Sequence, residues 1–487
     1  MNKPLRRVAI FCGLLVLALL LRDNWLQFAR AEELNANPKN KRVTIERYAS
    51  KRGNIIVDGK PITGSVDSGD TFYRYKRTYV DGPMWAPVTG YASQAFDASQ
   101  IEKLEDGVLT GNDDRLFFDR TLAMFTGEEK KGGNVVTTLN GAAQKAAFKG
   151  LGSKTGAVVA IEPSTGKILA LASTPSYDPG SFAGYHNKDS AAWNALEKDK
   201  NKPKLNRALR EIYPPGSVFK VVTAAAALES GKISDINAPT DTPEGWKIPL
   251  STVPMKNHAT GCANASINEA LRISCNSVFA KLGADVGRDK MVDMAQKFGF
   301  NSEQFVPVRA VASVYDKNAD AGGNALSSIG QFNTATTPLQ MAMVTAAIAN
   351  DGKLMKPYMI DELRAPNLDV IKKTEPEELS RPVSQKTAQQ LQAMMENVVE
   401  NGTGQNAALG GGVKVGGKTG TAQHGEKNSK RPYAWFISYA KTDQGSPVAV
   451  AVIVEDSEGT DREDITGGGL AAPIAKAVMK AVLNSKS

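Results

Sequence analysis

An apolar run close to the start of the chain places the strongest constraint on how this protein can fold. The run extends without a charged residue from Val8 to Leu21, and it follows three basic residues. A helix over this run would be roughly 21 Å long, which is short for a hydrocarbon core of about 30 Å and typical of a cleaved signal peptide. Extension of the helix to Phe28 would bring it to roughly 31 Å, which is enough to cross a membrane.

Both interpretations place the rest of the chain outside the cytoplasm. We predict a cytoplasmic segment over residues 1–7 and one transmembrane anchor over residues 8–28. The alternative is a secreted protein, cleaved after Ala31 at the small-residue site Ala29-Arg30-Ala31. Basic residues before the run and the acidic pair Glu32-Glu33 after it predict a cytoplasmic N-terminus. The membrane is therefore an expected partner, with the remaining chain in an oxidising compartment.

The charged and metal-binding residues exclude several classes of function. Lys and Arg number 59 and Asp and Glu number 51, a net charge of +8, and no dense basic run with interleaved aromatics occurs. We therefore predict no nucleic-acid partner. Three His and three Cys are too few and too scattered for a zinc site, so no metal and no cofactor is expected. Outside the anchor, Cys262 and Cys275 form either a disulfide or two buried thiols.

Two regions of different composition follow the anchor. Residues 32–135 are polar, with short alternating stretches such as Asn54–Val57, and predict a small strand-rich domain. Residues 136–487 predict an α+β domain whose sheet is built from both ends of one long segment. The elements predicted there are a helix over 141–151, a hairpin of strands 157–161 and 168–171, a mostly helical middle, strands 434–439 and 448–454, and a helix over 471–483.

The first motif with chemical content is Ser217-Val218-Phe219-Lys220, where a Pro-Pro-Gly turn enters an apolar helix. Because positions three apart share a helix face, Lys220 is predicted to lie beneath Ser217 and to accept its proton. This requires that burial and a neighbouring cation lower the lysine pKa. Two other segments match the pattern, Ser164–Lys167 in a predicted turn and Ser438–Lys441 in a predicted strand. Neither of these contexts places the lysine beneath its serine.

Two further motifs supply the other groups of a catalytic site. Ser274-Cys275-Asn276 offers a hydroxyl and an amide, suited to relaying a proton and to holding a substrate amide. Lys418-Thr419-Gly420-Thr421, at the predicted start of a late strand, offers a cation and hydroxyls for a carboxylate, and a glycine that permits close approach. Ser266-Ile267-Asn268 and Lys154-Thr155-Gly156 match these short patterns and are interpreted as a helix cap and a loop.

With these residues the sequence resembles the penicillin-binding protein transpeptidases, and specifically the monofunctional class B group. The resemblance covers roughly residues 45–484 and includes Tyr213–Ser217, Ser274–Ala280 and Gly417–Gln423. Residues 32–135 look like the class B pedestal of short actinobacterial-type members, with Arg52-Gly53-Asn54-Ile55 at its start. The resemblance implies a penicillin-binding and β-lactamase-like catalytic domain, in which helices flank an antiparallel sheet.

The resemblance also implies a peptidoglycan D,D-transpeptidase that β-lactams acylate. Ser217 would attack the D-Ala-D-Ala donor, Lys220 would accept its proton, and Ser274 would pass the proton to the departing D-Ala. Backbone N–H groups of Ser217 and Thr421 would form the oxyanion hole. Asn276 would bind the peptide amide, and the motif Lys418, Thr419, Gly420 and Thr421 would hold the terminal carboxylate. The implied partners are stem peptides that supply the donor and the acceptor amine, and a polytopic glycan polymerase.

Three other functions share parts of this pattern. A class A-type β-lactamase would need a Glu-x-x-x-Asn element before Lys418, and the segment from Glu362 to Asn367 has the wrong spacing. A β-lactam-sensing receptor would need several membrane spans. A catalytically silent scaffold is not excluded by motifs alone.

His186, His258 and His424 are interpreted as isolated residues, with His424 in an exposed turn or at the rim of the cleft.

Overall fold

The structure is a computed structural model of the chain and describes residues 3–35, 37, 40–117, 121, 125–127, 129–425, 428–456 and 459–486. Residues 1–2 of the predicted cytoplasmic segment and residue 487 of the predicted catalytic domain lie outside the described residues. Helix α1, Lys3–Phe28, has 26 residues and buries none of them. At about 39 Å it is longer than a hydrocarbon core of about 30 Å. Within the described ranges it is the one helix with the length and composition to cross a membrane.

The region after the anchor is a small unit of short strands and short helices. Its strands pair mainly as hairpins, β3 with β4 and β5 with β6, and the helices complete its packing. The helices are α2 Ala31–Asn35, α3 Lys41–Ala49, α4 Gly82–Thr89, α5 Gln100–Leu104 and α6 Asp106–Thr110. The strands are β1 Ile55–Val57, β2 Lys60–Pro61, β3 Thr63–Asp67, β4 Tyr75–Tyr79, β5 Ala92–Ser93 and β6 Asp97–Ala98.

A buried cluster of charges holds this unit together. Glu102 has no exposed surface and accepts hydrogen bonds from Arg52 Nε and Arg77 Nε, both at 2.6 Å. Arg52 also donates to Asp106 Oδ1 at 2.6 Å. Burial by itself raises the pKa of Glu102, but the guanidinium groups of Arg77 and Arg52 outweigh it and hold this pKa below its ordinary value. The cluster therefore joins the segment before β1 to strand β4 and helix α5.

We expect Glu102→Gln to destabilise this unit by about 3–5 kcal/mol, because it leaves the buried guanidinium group of Arg77 without its counter-charge and that of Arg52 with Asp106 alone. Unfolding in urea, followed by tryptophan fluorescence, measures the loss. Because the pKa of Glu102 is lower in the folded protein than in the unfolded one, its contribution to the free energy of unfolding is present at neutral pH. This contribution is lost as the pH falls through the folded pKa. The control is Glu46→Gln, which removes an exposed carboxylate 3.5 Å from Lys130 and should cost about 0–1 kcal/mol. Equal losses in the two variants would contradict the prediction.

The second region contains the remaining helices and strands. Its helices are α7 Gly141–Leu151, α8 Asn187–Lys198, α9 Arg207–Arg210, α10 Lys220–Glu229, α11 Ile267–Arg272, α12 Asn276–Val286, α13 Arg288–Lys297, α14 Ala321–Ser327, α15 Pro338–Ala349, α16 Gln385–Asn401 and α17 Ala472–Lys486. Its strands are β7 Asn134–Thr137, β8 Thr155–Ile161, β9 Ile168–Thr174, β10 Gln304–Phe305, β11 Arg309–Ala310, β12 Leu354–Met355, β13 Ile360–Arg364, β14 Val370–Lys373, β15 Glu378–Ser380, β16 Lys414–Ala422, β17 Tyr433–Thr442 and β18 Gly445–Asp456.

A five-stranded antiparallel sheet forms the centre of this region, in the order β16-β17-β18-β8-β9. Side chains alternate across β8: Ala157, Val159 and Ile161 enter one hydrophobic core, and Val158 and Ala160 enter the other. Because successive strand residues point to opposite faces, a run that is apolar throughout requires helices on both faces. Helices α7 and α17 cover one face and α15 the other. The predicted sheet built from both ends of the segment is confirmed.

A second sheet joins the two regions, in the order β14-β13-β7-β1-β2. Strand β7 pairs parallel with β1 and antiparallel with β13. The boundary predicted between residues 135 and 136 therefore falls inside a strand that is hydrogen-bonded to both regions. A composition change along the chain does not reveal such a strand, because its two partners are distant in sequence.

Candidate active site

Ser217 lies at the entrance of a buried helix. Residues Gly216–Phe219 form a 3-10 turn that leads directly into α10. Gly216 has a φ of +55°, a conformation that favours glycine, and its amide donates to the Gly330 carbonyl at 2.9 Å. A Cβ on Gly330 would lie 2.2 Å from the Gly216 carbonyl oxygen, so the turn packs tightly against residue 330. Ser217 thus lies in a 3-10 turn, and the α-helix predicted to begin at the serine begins three residues later, at Lys220.

Lys220 is fully buried, and its partners differ from the predicted one. Its Nζ donates to the Ser274 carbonyl at 2.7 Å and to Asn276 Oδ1 at 2.8 Å, and it lies 3.3 Å from Ser274 Oγ. Among the described residues these three are its hydrogen-bond partners, so the lysine contacts the second motif and not Ser217. Burial, and then the charge of Lys418, lower the pKa of Lys220 well below its ordinary value. The environment therefore favours a neutral amine.

Lys418 is a second buried lysine beside the same hydroxyl. Its Nζ donates to Ser274 Oγ at 2.9 Å and to the Thr419 carbonyl at 3.0 Å. Burial lowers the pKa of Lys418 to about 7. The Ser274 hydroxyl therefore lies between two lysine amines. Because the amines are close together, the charge of one affects the pKa of the other.

Ser274 adopts an unusual backbone conformation that serves these contacts. Its φ is +64°, a region that non-glycine residues rarely occupy and that is common at functional sites. In this conformation both its carbonyl and its hydroxyl contact Lys220. The next residue, Cys275, precedes helix α12 and is joined to Cys262 by a disulfide. Of the two alternatives that the sequence left open for these cysteines, the structure contains the bonded one.

The third motif lies in the second half of strand β16 and not at its start. The strand begins at Lys414, four residues before Lys418, and it is an edge strand of the central sheet. The N–H groups on the free side of an edge strand are not bonded to a neighbouring strand. A Cβ on Gly420 would lie 3.0 Å from the Pro215 carbonyl oxygen and 3.0 Å from Val218 Cγ1. Glycine at this position therefore lets the strand approach the Ser217 turn.

The three motifs meet at one cleft of about 960 Å³. Its lining includes Ser217, Ser274, Asn276, Thr419 and Thr421. Lys220 and Lys418 have no exposed surface. Their amines lie beneath the lining and contact Ser274, Asn276 and Thr419, which do line the cleft. The structure thus brings together all the site residues predicted from the sequence, with hydroxyl groups at the surface and lysine amines beneath.

Other residues of the cleft were missed from the sequence. Thr403 Oγ1 lies 2.6 Å from Thr419 Oγ1 and extends the row of hydroxyls. Arg462 donates to Gln423 Oε1 at 2.9 Å and to the Asn428 carbonyl at 2.7 Å, at the mouth of the cleft. The Gly-Thr-Gly sequence at 402–404 was the only local signal for Thr403. Arg462 and its partners are 34 and 39 residues apart in sequence, so no short pattern could reveal their contact.

The histidines fall into different surroundings. His258, interpreted as isolated, is exposed and lines the cleft. His424 is half-buried rather than in an exposed turn: its ring stacks on Tyr433 at 3.9 Å, and Nε2 donates to the Arg431 carbonyl at 2.6 Å. Burial lowers the pKa of His424. The description of His424 as an isolated residue in an exposed turn was therefore wrong.

The residues set aside as chance matches have structural roles. Lys167, in the turn between β8 and β9, pairs with Asp361 at 3.1 Å. Ser266 caps α11 by accepting a hydrogen bond from the Glu269 amide. Glu362, in the segment considered for a β-lactamase carboxylate, lies in β13 and pairs with Arg364 at 2.6 Å. The interpretation of Ser266 as a helix cap is confirmed, whereas Lys154-Thr155-Gly156 is not a loop, because Thr155 and Gly156 are the first residues of β8.

Two family models match the chain over most of its length. The penicillin binding protein transpeptidase domain matches residues 156–480, which is more than half of the chain. The chain belongs to the penicillin-binding protein transpeptidase family. The penicillin binding protein A dimerisation domain matches residues 52–135, the small unit that contains the buried charge cluster. The family and the fold class predicted from the sequence are thereby confirmed.

Full-length relatives and solved structures agree with this assignment. The chain is 42% identical to the peptidoglycan D,D-transpeptidase PbpA of Mycolicibacterium smegmatis and 39% identical to that of Mycobacterium tuberculosis, each over 100% of both chains. It is similar to the ceftriaxone acyl-enzyme complex of penicillin-binding protein A from M. tuberculosis, with a TM-score of 0.85, 39% identity and coverage of 90% of this chain and 100% of that one. The penicillin G acyl-enzyme complex of that protein gives a TM-score of 0.82 at 39% identity, covering 89% and 100%.

Proposed function

We propose that Ser217, Lys220 and Ser274 are the catalytic residues of this peptidoglycan D,D-transpeptidase. The enzyme cross-links stem peptides through a serine acyl-enzyme and is acylated by β-lactams. One observation carries the assignment of residues: the Ser274 hydroxyl lies between two buried lysine amines, beneath the cleft that Ser217 lines. This arrangement supplies a nucleophile, an amine base and a proton relay without a histidine or a metal.

In the first half-reaction, Ser217 Oγ attacks the carbonyl carbon of the penultimate D-Ala, and its proton passes to Lys220. The Ser274 carbonyl and Asn276 Oδ1 can only accept hydrogen bonds, so a neutral lysine amine gives them both its N–H groups. Its lone pair then remains for a hydroxyl proton. The hydrogen bond between Nζ and Ser217 Oγ has to form when substrate binds, as catalytic contacts often do.

In the same step, the bond to the terminal D-Ala breaks and the leaving amine needs a proton. Ser274 Oγ accepts a hydrogen bond from Lys418, so its own proton is directed elsewhere and can pass to the departing amine. Lys220 then gives the proton that it took from Ser217 to Ser274 Oγ, 3.3 Å away, which restores the Ser274 hydroxyl and the neutral amine. An acceptor amine next attacks the ester, loses its proton along the same route and releases Ser217.

The remaining site residues are proposed to bind the substrate. Backbone N–H groups of Ser217 and Thr421 would hold the oxyanion, a contribution of about 3–4 kcal/mol per donor. Asn276 would bind the peptide amide through the second lone pair of its Oδ1. The terminal carboxylate would be held by the hydroxyls of Thr419 and Thr421 and by the charge of Lys418 beneath them. Gly420 lets this strand approach the Ser217 turn, and the Thr403 hydroxyl supports Thr419.

A reaction with a peptide donor and a separate acceptor tests this function directly. We expect purified protein to release D-Ala from a stem peptide that ends in D-Ala-D-Ala and to form a cross-linked product only when an amine-bearing stem peptide is present. Pre-incubation with penicillin should abolish both products. Release of D-Ala without any cross-linked product at saturating acceptor would indicate a hydrolase instead.

Acylation by penicillin is expected to have a bell-shaped pH profile. The rate should rise with pH as Lys220 loses its proton and becomes a base. It should fall when Lys418, with a pKa of about 7 in the free protein, loses the charge that binds the penicillin carboxylate. Second-order rate constants of acylation between pH 5 and 10 measure both the rise and the fall. The two apparent pKa values belong to the pair of lysines and not to either lysine alone. A flat profile between pH 6 and 9 would contradict these roles.

We also propose the membrane topology and the partner expected from the sequence. Helix α1 would be retained as a single anchor, with its N-terminus in the cytoplasm and the catalytic domain outside. A polytopic glycan polymerase would bind through the anchor and residues 32–135. Co-purification in detergent, with and without residues 1–31, tests the partner. Sequencing of the mature N-terminus distinguishes a retained anchor from cleavage after Ala31.

A further inference from the structure

The segment of residues 256–262 contacts the second motif at two places. At one end, Asn257 Oδ1 accepts hydrogen bonds from the backbone N–H groups of Asn276 at 2.8 Å and Ser277 at 2.9 Å. Asn257 Nδ2 donates to Ser277 Oγ at 2.9 Å. At the other end, Cys262 is bonded to Cys275. We propose that Asn257 is a positioning residue that orients Asn276 and, through it, the amine of Lys220; this proposal rests on the proposed function.

Asn257 accepts hydrogen bonds from the first N–H groups of a helix that begins 19 residues later in the chain. The first N–H groups of a helix have no partner within it, and an asparagine oxygen is among the preferred acceptors for them. Cys275, the residue before α12, makes no side-chain cap. Asn257 takes that role from a distant segment and thereby holds the first residue of α12, Asn276, at a fixed place.

The neighbouring carbonyl decides which way the Asn276 amide faces. Asn276 Nδ2 donates to the Lys256 carbonyl at 2.9 Å. Because a carbonyl can only accept, this contact requires the amino group there and directs Oδ1 to Lys220, 2.8 Å away. With the opposite orientation, an N–H group of Asn276 would face the lysine and would compete with the Ser217 hydroxyl for the lone pair of the amine. The segment 256–257 thus sets the orientation of the base.

Little else holds this segment in place. Lys256, His258, Thr260 and Gly261 are all exposed, so side-chain packing contributes little between Asn257 and Cys262. The disulfide fixes the far end, and the near end is fixed by the hydrogen bonds of Asn257 and by the amide of Met255, which donates to the Trp246 carbonyl at 2.8 Å. Loss of the Asn257 amide should therefore release the Lys256 carbonyl while the fold and the disulfide persist.

The test measures acylation by fluorescent penicillin in a stopped-flow instrument, which separates the binding constant from the rate constant of acylation. For Asn257→Ala we expect the rate constant to fall by about tenfold or more, which corresponds to about 1.4 kcal/mol of transition-state stabilisation. The binding constant should change less. Asn257→Asp retains the acceptor oxygen and should stay within about threefold of wild type when each protein is compared at its own pH optimum, where the added charge does not keep Lys220 protonated.

Asn268→Ala is the matched control. Asn268 makes two side-chain hydrogen bonds, to Asn237 at 2.9 Å and Asn397 at 3.0 Å, and does not line the cleft. Its loss should leave the rate constant unchanged. A role that is only structural would lower the fraction of Asn257→Ala molecules that label, with a wild-type rate constant in those that do, and would overturn the proposal.

If Asn257→Ala does not fold, Asn257→Asp tests the positioning role of Asn257. A folded Asn257→Asp protein that acylates ten times more slowly than wild type at its own pH optimum would show that the acceptor oxygen does not position Asn276. Retention of wild-type kinetics in Asn257→Ala would also overturn the proposal. In both cases wild-type labelling at Ser217 would leave the transpeptidase function unaffected.

Discussion

Replacement of Ser217 with alanine is expected to abolish covalent labelling of the chain by fluorescent penicillin. Ser217 Oγ is the atom proposed to form the ester, so without it neither β-lactams nor stem peptides can form an acyl-enzyme. Turnover of a peptide donor should fall by about 10³-fold or more, as it does when the nucleophile of an acyl-transfer enzyme is removed. Labelling in gels and intact-protein mass spectrometry measure the first effect, and release of D-Ala from the peptide donor measures the second.

The chain contains a matched control for this substitution. Ser164 opens the sequence Ser164-Thr165-Gly166-Lys167, which has the same spacing but lies in the turn between β8 and β9 and is exposed. Ser164→Ala should label like wild type. An adduct of full stoichiometry on Ser217→Ala, mapped to another residue, would show that the nucleophile had been assigned wrongly.

Replacement of Lys220 with glutamine should slow acylation by about 10²- to 10⁴-fold, the usual contribution of a general base. Glutamine can still donate to the Ser274 carbonyl, but it cannot accept a proton from Ser217. The slow adduct that forms should still map to Ser217, which distinguishes loss of the base from loss of the nucleophile. The rate constant at saturating penicillin is the quantity to compare.

Lys441→Gln provides the control for this second substitution. Lys441 ends the chance match Ser438–Lys441, and its Nζ donates to Gln392 Oε1 at 2.7 Å, away from the cleft lining. Its loss should leave acylation within about twofold of wild type, because it does not contact the reacting groups. If Lys220→Gln stayed within tenfold of wild type, another group would have to be the base.

Local patterns were sufficient for the elements that carry the site. The helix predicted over 141–151 is α7 at the same residues, and the Pro-Pro-Gly turn leads into α10 as expected. Apolar periodicity and turn residues act over a few positions, so they can be recognised without the rest of the chain. The joint order of three motifs then indicated the family, because each motif alone has chance matches in this chain.

Contacts between distant segments could not be predicted in this way. Strand β7 crosses the expected domain boundary because its partners β1 and β13 come from both sides of it. Lys418 and Ser274 are 144 residues apart, and the hydrogen bond between them depends on the edge strand packing against the Ser217 turn. The role of Asn257 has no local signal, since it caps a helix that begins 19 residues later.

The sequence by itself determined that this chain has an apolar N-terminal helix, an α+β catalytic domain and the three motifs of a transpeptidase, because these depend on residue type and short spacing. Only the tertiary structure decided that Lys220 bonds to Ser274 and Asn276 rather than to Ser217, and that two lysines share one hydroxyl. Burial and hydrogen-bond partners, which set the pKa of a lysine, come from segments that meet only in the folded chain.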